Sequence, residues 1–411
     1  MEFKFSDAII INPREKMKKG ELIKKISMQN IKERNRNILD YEIAPYSSGS
    51  KFRNKDTLFA RITPCLENGK TAQVNILNDD EIAFGSTEFI IFRAKPGITI
   101  PDYVYFLSIS EFIRQQAIKS MTGTSGRQRV QNSIFDEITI EVPSIEEQEK
   151  IVGILNSLDS KIEINNKIIS NLESQAQAIF KSWFVDFEPF QDGNFVESEL
   201  GMIPEGWEVK ALGELYPMKS GYAFKSKDWS DNGFPIIKIK NISNGSIDLS
   251  NCDYVNCNET LKKAISFKVT GGEIVIALTG ATTGKFGVIP YNTSAYINQR
   301  AGLFFDKQEI GYGFLYGLLN QKKIINNIIE LSRGSAQANL SPRDVNSLKF
   351  AFDKNISDIF NLLNYYIKKV SELKFQNTKL AELRDAVLPK LMAGEIDVSN
   401  IKIEGEEVKN E

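Results

Sequence analysis

The sequence predicts an α+β fold with two repeated β-rich domains. A long helix follows each domain, and the two helices are expected to pair as an antiparallel coiled coil. Two long stretches keep a heptad pattern of apolar residues. The segments before them hold short apolar runs separated by Gly, Asn, Ser and Pro, a pattern typical of strands and turns. The second half of the chain also repeats the apolar pattern of the first half.

The first long helix is predicted over residues 146–187. Along it, apolar residues recur in alternating steps of four and three, which is the seam of a coiled coil. A polar residue inside such a seam typically fixes the register at some cost in stability. The seam residues expected to pair with the second helix are Leu158, Ile162, Asn165, Ile169 and Leu172.

The second long helix is predicted over residues 355–393 and shows the same rhythm. Each seam has one asparagine near its middle, which favours pairing between the two helices. The alternative is that they are two ordinary amphipathic helices, each packed on a separate domain. The second set of pairing residues is Tyr366, Val370, Leu373, Asn377 and Leu380.

These helices set the expected domain boundaries. The first β-rich domain is predicted at residues 1–145 and the second at residues 205–354. Residues 188–204 are predicted to be a linker, and residues 394–411 an acidic, flexible tail.

The two domains read as repeats of each other. Asp56–Thr63 lies 216 residues before Gly272–Thr279, and Val130 lies 210 residues before Leu340. Apolar positions agree between the copies, whereas the polar loop residues differ. This pattern favours one scaffold that presents two different contact surfaces, because a duplicated enzyme would keep one set of polar residues.

Composition excludes several classes of enzyme. The 411 residues include no histidine, which rules out Ser-His-Asp and Cys-His catalysis and His-ligated zinc. Three cysteines are too few for a disulfide framework or a four-thiolate zinc site. No leader pattern and no apolar run long enough to span a membrane is present, so we expect a cytoplasmic protein.

The formal net charge of −2 conceals an uneven distribution. Residues 1–144 carry 21 basic and 18 acidic side chains, and residues 205–354 carry 18 and 14. The remaining residues, mainly the two helices and their flanks, carry 12 and 21. The β-rich domains are therefore mildly basic, which permits nucleic-acid binding without proving it, because the field at the contact face is what matters.

Motifs that suggest a reaction do not match on inspection. Thr279–Phe286 resembles a phosphate-binding loop, but it has three residues between its glycines instead of four and ends in Phe286 instead of Ser or Thr. Glu372–Lys374 has residue types used by metal-dependent nucleases but lies in a coiled-coil seam. Cys252 and Cys257 have no further soft ligands nearby. No catalytic residue, no metal site and no bound cofactor is predicted.

The loops of both domains offer side chains that suit DNA. Arginine pairs bidentately with guanine and Asn or Gln with adenine, while Lys and Arg also contact phosphates. Singly, each of these residues is more often an ordinary polar loop residue. The candidates in the first domain are Arg61, Lys70, Ser86, Thr87, Thr122, Thr124, Ser125, Arg127, Gln128, Arg129 and Gln131. Those in the second are Lys225, Lys227, Thr279, Lys285, Asn298, Gln299, Arg300, Arg333, Ser335, Gln337 and Asn339, with Asn298–Arg300 placed opposite Ser86–Glu88.

Four stretches carry a family resemblance over nearly the full chain. They are FSDAIIINPREKMKKGE from Phe5, AIFKSWFVDFEP from Ala178, MIPEGWEV from Met202 and LPKLMAGEI from Leu388. With the repeat, they resemble the specificity subunit of type I restriction–modification systems. The resemblance implies two target-recognition domains, each reading one half of a bipartite, asymmetric DNA sequence, and helices that set the spacing.

The resemblance also implies partners. The chain would be a non-catalytic subunit that binds double-stranded DNA and two modification (methyltransferase) subunits, which would carry S-adenosylmethionine. Restriction (motor-nuclease) subunits would bring ATP and Mg²⁺. Two other readings stay open: a coiled-coil scaffold that displays two protein-interaction modules without binding DNA and, more remotely, an enzyme.

Overall fold

A computed structural model describes residues 1–38, 40–124, 126–243, 245–332 and 339–401. The chain forms two compact units. Unit 1 comprises Met1–Ser160 together with the residues from Leu380 onward, and unit 2 comprises Lys161–Lys379. Each unit combines small β-sheets with helices, as the sequence predicts.

Unit 1 is built on two four-stranded sheets with strand orders β4-β3-β8-β5 and β2-β9-β6-β7, and on the pair β1-β10. Its elements are β1 (Glu2–Lys4), α1 (Phe5–Ala8), β2 (Ile9–Ile11), β3 (Leu22–Ile26), β4 (Glu42–Pro45), β5 (Ser50–Arg53), β6 (Thr57–Ala60), β7 (Thr71–Gln73), β8 (Ile82–Gly85), β9 (Phe89–Ala94), α2 (Pro101–Ile109), α3 (Glu111–Lys119), α4 (Ile134–Glu137), β10 (Thr139–Glu141), the first part of α5 (Ile145–Phe184) and the last part of α11 (Ser357–Met392).

Unit 2 has sheets ordered β14-β24-β21-β22-β18-β17 and β15-β19-β16-β23-β20, and the pairs β11-β12 and β13-β25. Its elements are the last part of α5, β11 (Phe195–Ser198), β12 (Gly201–Pro204), β13 (Glu208–Ala211), α6 (Leu212–Leu215), β14 (Met218–Ser220), β15 (Trp229–Ser230), β16 (Phe234–Ile237), β17 (Ile242–Ser243), β18 (Gly245–Ile247), β19 (Asp253–Val255), α7 (Asn258–Lys263), β20 (Lys268–Val269), β21 (Ile274–Ala277), β22 (Phe286–Val288), β23 (Ala295–Ile297), β24 (Ala301–Phe304), α8 (Gly313–Leu319), α9 (Lys322–Ser332), α10 (Pro342–Asn346), β25 (Lys349–Phe352) and the first part of α11.

The two units share part of their topology. A parallel strand pair in a mainly antiparallel sheet recurs in both: β3 with β8 in unit 1, and β16 with β23 in unit 2. Unit 2 has a second parallel pair, β18 with β22, in its larger sheet. Helices α2 and α3 of unit 1 correspond to α8 and α9 of unit 2, as the sequence repeat predicts. Unit 2 has an additional helix, α7, between β19 and β20, where unit 1 has a short turn between β4 and β5.

Strand pairing corrects the register of the repeat around β6 and β21. Ala60 pairs with Phe89, and Ala277 pairs with Ala301 at the matching position. Residue 60 therefore corresponds to residue 277, an offset of 217 and not the expected 216. The difference matters because a slip of one residue would exchange the two faces of a strand.

Neighbouring residues of β6 pack in two different hydrophobic clusters. Phe59 packs in the cluster that includes Tyr103 of α2 and Leu388 of α11. Leu58, on the opposite face, packs with Ile26 and Ile91 in a second cluster. The sheet is thus buried on both sides, which explains why β6 is apolar at almost every position instead of alternating. The same division recurs in unit 2, where Ile276 and Val275 belong to separate clusters.

The two long helices pair within each unit. In unit 2, Gln175 accepts a hydrogen bond from Tyr366 at 2.9 Å, and the side chain of Asn165 donates to Asn377 at 2.8 Å. In unit 1, Asp159 pairs with Arg384 at 2.8 Å. In these three pairs the residue number on α11 rises as the residue number on α5 falls, so the two helices run antiparallel. The ten predicted seam residues are all buried or partly buried.

Both segments after the long helices are more ordered than expected. Helix α5 ends at Phe184, three residues early, and Phe187 has a left-handed φ of 54°. The expected linker at 188–204 forms the hairpin β11-β12, while Phe187 and Phe190 pack on Trp207 with ring centroids at 5.2 Å. Residues 188–204 are therefore a folded part of unit 2.

Helix α11 spans two residues fewer at its start and one fewer at its end than predicted. The expected flexible tail then begins with an ordered segment, since Ile396, Val398 and Ile401 pack against the core of unit 1. Residues 402–411 lie outside the described part of the chain. No helix within the described residues is both long and apolar enough to cross a membrane.

Candidate nucleic-acid interface

In unit 1, the end of β6, the β8–β9 turn and the loop after α3 meet at one surface. The backbone of Arg129 bridges to Ile62 on one side and to Thr122 on the other. The Val130 amide donates to the Arg61 carbonyl at 2.8 Å, and the Arg61 amide donates to the Glu88 carbonyl at 3.0 Å. These backbone hydrogen bonds extend the sheet beyond β6 and place three loops side by side.

Arg129 and Glu88 form the main charged pair of this surface. Arg129 Nη2 lies 2.7 Å from Glu88 Oε1, and Nε lies 3.0 Å from both carboxylate oxygens. Glu88 raises the pKa of Arg129 above its ordinary value through this hydrogen bond. The guanidinium is held in one orientation while 43% of the Arg129 side chain stays exposed.

Polar neighbours surround this pair. The Gln131 amide donates to Thr122 Oγ1 at 2.6 Å, and Ser86 Oγ accepts from the Glu88 amide at 3.1 Å. Thr87 and Arg127 are exposed. The remaining predicted side chains here are Thr124, which is exposed, and Gln128, which is half-buried; Ser125 lies outside the described residues.

Two predicted residues of unit 1 donate hydrogen bonds to backbone carbonyls of the protein. Arg61 Nη2 donates to the Val130 carbonyl at 2.8 Å, and Lys70 Nζ donates to the Met28 carbonyl at 3.0 Å. Both cations thus bind the protein's own backbone, and both are half-buried; their contact with DNA stays a prediction. The sequence marked them as basic but gave no sign of these backbone partners.

Unit 2 repeats the backbone of this surface. The Leu278 amide donates to the Arg300 carbonyl at 3.0 Å, the Leu340 amide donates to the Leu278 carbonyl at 2.8 Å, and Thr279 bridges to Asn339. Arg300 therefore occupies the position of Glu88 in unit 1. By the same hydrogen bonds, Asn339 occupies the position of Arg129.

The side chains at these matched positions differ between the units. Asn298 Oδ1 accepts from the Arg300 amide at 3.2 Å, which reproduces the turn made by Ser86 and Glu88. Gln299, Arg300 and Asn339 are exposed, and Arg300 has no ion pair with any described residue. Three other predicted residues, Arg333, Ser335 and Gln337, lie outside the described part of the chain.

The remaining predicted lysines of unit 2 are spread out. Lys225 and Lys227 are exposed in the turn before β15, where Asp228 caps the turn by accepting from the Lys225 amide at 2.7 Å. Lys285, also exposed, lines a separate groove of about 590 Å³ with Glu173 of α5. Lys285 thus does not join the Asn298–Arg300 surface.

The structure also places residues at this surface that the sequence interpretation missed. Trp229, Lys238 and Lys240 line a groove of about 330 Å³ together with Asn298–Arg300. A tryptophan among four lysines within sixteen residues was the available signal, because aromatic and basic residues together favour contact with nucleic acids. No cluster of His, Cys, Asp or Glu that could hold a metal is found among the described residues.

The site thus consists of two polar surfaces on one repeated scaffold. Matched strand ends carry different hydrogen-bonding side chains, while the backbone hydrogen bonds that support them are the same. This arrangement defines a duplicated recognition protein, and no described residue forms a catalytic constellation.

Comparisons with known proteins agree with this class. A model of the type I restriction modification DNA specificity domain matches residues 2–174 and 204–352. The chain is 27% identical to the specificity subunit of the type I restriction enzyme MjaIX from Methanocaldococcus jannaschii, over 75% of this chain and 71% of the relative. It is 26% identical to the HindI specificity subunit from Haemophilus influenzae, over 86% and 89%. The crystal structure of a type I restriction–modification S subunit from M. genitalium has the same fold, with a TM-score of 0.57, 15% identity and 95% coverage of both chains.

Because the family model covers well over half of its residues, the chain belongs to the type I restriction–modification DNA specificity family. It is a DNA sequence-recognition subunit and does not itself carry out catalysis.

Proposed function

We propose that each unit reads one half of a bipartite, asymmetric DNA site. The observation that carries this proposal is the pair of matched positions that hold Glu88 and Arg129 in unit 1 but Arg300 and Asn339 in unit 2. Arg pairs bidentately with O6 and N7 of guanine, and Asn with N6 and N7 of adenine. One backbone with different side chains is what two different half-sites require.

Affinity and selectivity come from different groups. Lysines and arginines of the mildly basic units neutralise phosphates and supply salt-dependent affinity. Exposed side chains such as Arg129, Gln131, Gln299 and Asn339 read base edges, each good bidentate contact contributing about 1–3 kcal/mol of discrimination. The buried polar contacts between α5 and α11 fix the helix register, and the helices set the spacing between the two half-sites.

Membership of the family supports a proposal for the partners of this chain. The helices dock two modification subunits, which bind S-adenosylmethionine and methylate DNA, and restriction subunits add ATP- and Mg²⁺-dependent cleavage. The chain then acts in the cytoplasm, where the DNA lies. The acidic flanks of the helices suit protein partners better than DNA, because they would repel phosphates.

A domain exchange tests this proposal. Residues 205–354 are replaced by the matching segment of another family member, and methylated bases are mapped in cells that also express the modification subunit. We expect one half of the methylated sequence to change while the other half and the spacer length stay the same. A change in both halves, or in neither, would show that the units do not read separate half-sites.

A footprint with the purified wild-type complex separates the DNA reader from a scaffold. Protection of a split sequence on duplex DNA supports the reader. Absence of binding at low salt, with the partner subunit still bound, would indicate a scaffold that only organises proteins.

A further inference from the structure

A groove in unit 2 combines an aromatic ring with three cations. We name it the Trp229 groove; it is lined by Phe224, Trp229, Lys238–Lys240 and Asn298–Arg300 and has a volume of about 330 Å³. We propose that this groove binds the phosphate backbone of the DNA, and that unit 2 alone provides this electrostatic anchor. The inference rests on the proposed DNA-reading function and deepens it.

The charges of the groove do not cancel. Lys238 Nζ lies 3.6 Å from the centroid of the Trp229 ring and 2.9 Å from Asp253 Oδ2. Lys240 Nζ lies 3.2 Å from the same oxygen. One carboxylate therefore faces two ammonium groups, and Arg300 adds a third cation without an ion pair among the described residues. These four groups leave two positive charges in excess.

Contacts with Trp229 and Asp253 fix the positions of Lys238 and Lys240. Stacking on Trp229 limits the rotamers of Lys238, and Asp253 keeps both ammonium groups side by side. Lys238 lowers the pKa of Asp253 through its hydrogen bond, so the carboxylate stays ionised at neutral pH and the two cations remain paired around it. Fixed cations lose less conformational entropy on binding an anion than mobile ones do.

The position of the Trp229 groove favours DNA over an acidic protein segment as its ligand. The groove includes Gln299 and Arg300, which are exposed and belong to the surface proposed to face base edges. A duplex whose bases lie against these residues brings its sugar–phosphate strand to the nearest cations. Ammonium groups act as point charges that suit phosphate oxygens. An acidic protein segment could bind the same cations, but it would not account for the neighbouring side chains that suit DNA bases.

The positions of unit 1 that match the two lysines of the groove carry no charge. The parallel pairs Ile26–Gly85 and Ile237–Ile297 align Ser27 with Lys238. The alignment continues because the Ser27 amide donates to Asn30 Oδ1 as the Lys238 amide donates to Asn241 Oδ1. Gln29 then corresponds to Lys240. Neither matched residue of unit 1 is charged, so the basic groove distinguishes the two readers.

Two substitutions that change the charge of the groove in opposite directions test the inference. Binding of the complex with its modification subunit is measured by fluorescence anisotropy on duplexes with and without the methylated target sequence, at several salt concentrations. We expect Lys240→Gln to weaken binding to both duplexes by a similar factor, on the order of fivefold to tenfold at 0.1 M salt, and to reduce the slope of log K against log salt by about 0.9. Asp253→Asn should strengthen binding to both and steepen the slope.

Matched controls come from another lysine–carboxylate pair in unit 2. Lys210 lies 2.6 Å from Glu208 on β13, which belongs to a different sheet. Lys210→Gln and Glu208→Gln change the net charge as the test substitutions do, and we expect both to leave the affinity and the salt slope within twofold of wild type. The methylated sequence should stay unchanged in all four variants.

Each other outcome overturns the inference in a recognisable way. An unchanged affinity and slope in Lys240→Gln would show that the groove does not contact DNA. A changed methylation sequence would make Lys240 a base reader, and loss of the modification subunit with DNA affinity per complex intact would make the groove a protein-docking site. If the wild-type complex bound neither duplex, the proposed function itself would fail, and the anchor with it.

Discussion

Glu88 holds the guanidinium of Arg129 by a contact of 2.7 Å and two of 3.0 Å, on strand ends that face the same surface of unit 1. The matching backbone positions of unit 2 carry Arg300 and Asn339. The acid of one unit is thus replaced by a cation in the other, and the cation by an amide. The two units share a hydrogen-bonded backbone frame but present groups of different charge on it.

The first prediction concerns Arg129. We expect Arg129→Ala to relax the methylated sequence at one base pair of one half-site, because a bidentate guanine contact is worth about 1–3 kcal/mol. Mapping of methylated bases in cells measures the effect. Lys25→Ala is the matched control, since Lys25 also forms an exposed ion pair in unit 1, at 3.1 Å from Glu42.

The role of Glu88 can be separated from that of Arg129. Glu88→Gln keeps a hydrogen-bond acceptor but removes the charge that fixes the guanidinium. We expect the same base pair to be relaxed, but less than in Arg129→Ala. A methylated sequence that is unchanged in both variants would show that the pair only stabilises the loop.

The second prediction concerns the amide cluster between the long helices in unit 2. Asn165 is fully buried and donates to Asn377 at 2.8 Å and to Gln376 at 2.9 Å. Asn165→Ala leaves these acceptors without their donor, so we expect the free energy of unfolding to fall by about 1–3 kcal/mol. Urea denaturation measures it. Gln175→Ala, which removes an exposed hydrogen bond to Tyr366, should cost less than about 0.5 kcal/mol.

Replacing both seam asparagines tests their part in register. The double variant Asn165→Leu with Asn377→Leu removes the buried polar atoms and fills the seam, so it should be at least as stable as wild type. If the cluster fixes the register, the spacer between the methylated half-sites should become heterogeneous. A more stable protein with one unchanged spacer length would show that the rest of the helix interface is sufficient.

The long helices and the repeat could be predicted because their signals are local and periodic. The spacing of apolar residues from Leu158 to Leu172 is visible in any window of the sequence. The offset at β6 was wrong by one because Asp56–Thr63 and Gly272–Thr279 are both apolar on two faces. The pairing of Ala60 with Phe89, and of Ala277 with Ala301, is needed to determine which residues of the two strands point to the same face of the sheet.

The candidate surface was only partly predictable. Ser86–Glu88 and Asn298–Arg300 were matched correctly, because both precede an apolar strand of similar pattern. The backbone contacts of Arg61 and Lys70 depend on carbonyl groups supplied by distant segments, and the Trp229 groove depends on strands β15, β16 and β19 meeting. A single sequence does not show which distant segments meet, although the clustering of Trp229 with four lysines indicates a surface of this kind.

The third prediction concerns the pH dependence of unit 1. Hydrogen bonds from Arg53 and Arg93, both at 2.7 Å, lower the pKa of Glu15 below its ordinary value near 4.5, although burial opposes the shift. The folded state therefore binds the proton less readily than the unfolded chain. The resulting stability is present above pH 4.5 and is lost as the pH falls through the lower, folded pKa.

Glu15→Gln removes this contribution. We expect the variant to be less stable than wild type by about 1–3 kcal/mol at pH 7. The difference should shrink as the pH falls below about 4.5. Denaturation at several pH values measures both. Glu21→Gln is the control, because Glu21 is exposed and has no ion pair with any described residue. A difference that does not change with pH would show that Glu15 acts through packing alone.

The last prediction compares two helical glycines. A Cβ at Gly317 of α8 would lie 2.7 Å from Cγ of Phe180, a buried ring of α5, whereas a Cβ at Gly153 of α5 meets nothing within 4 Å. We expect Gly317→Ala to destabilise unit 2 by about 1–3 kcal/mol through overpacking. Gly153→Ala should stabilise unit 1 by up to about 1 kcal/mol, because alanine favours helix. Calorimetry of both variants measures the shifts, and stabilisation by Gly317→Ala would show that α8 does not pack closely on Phe180.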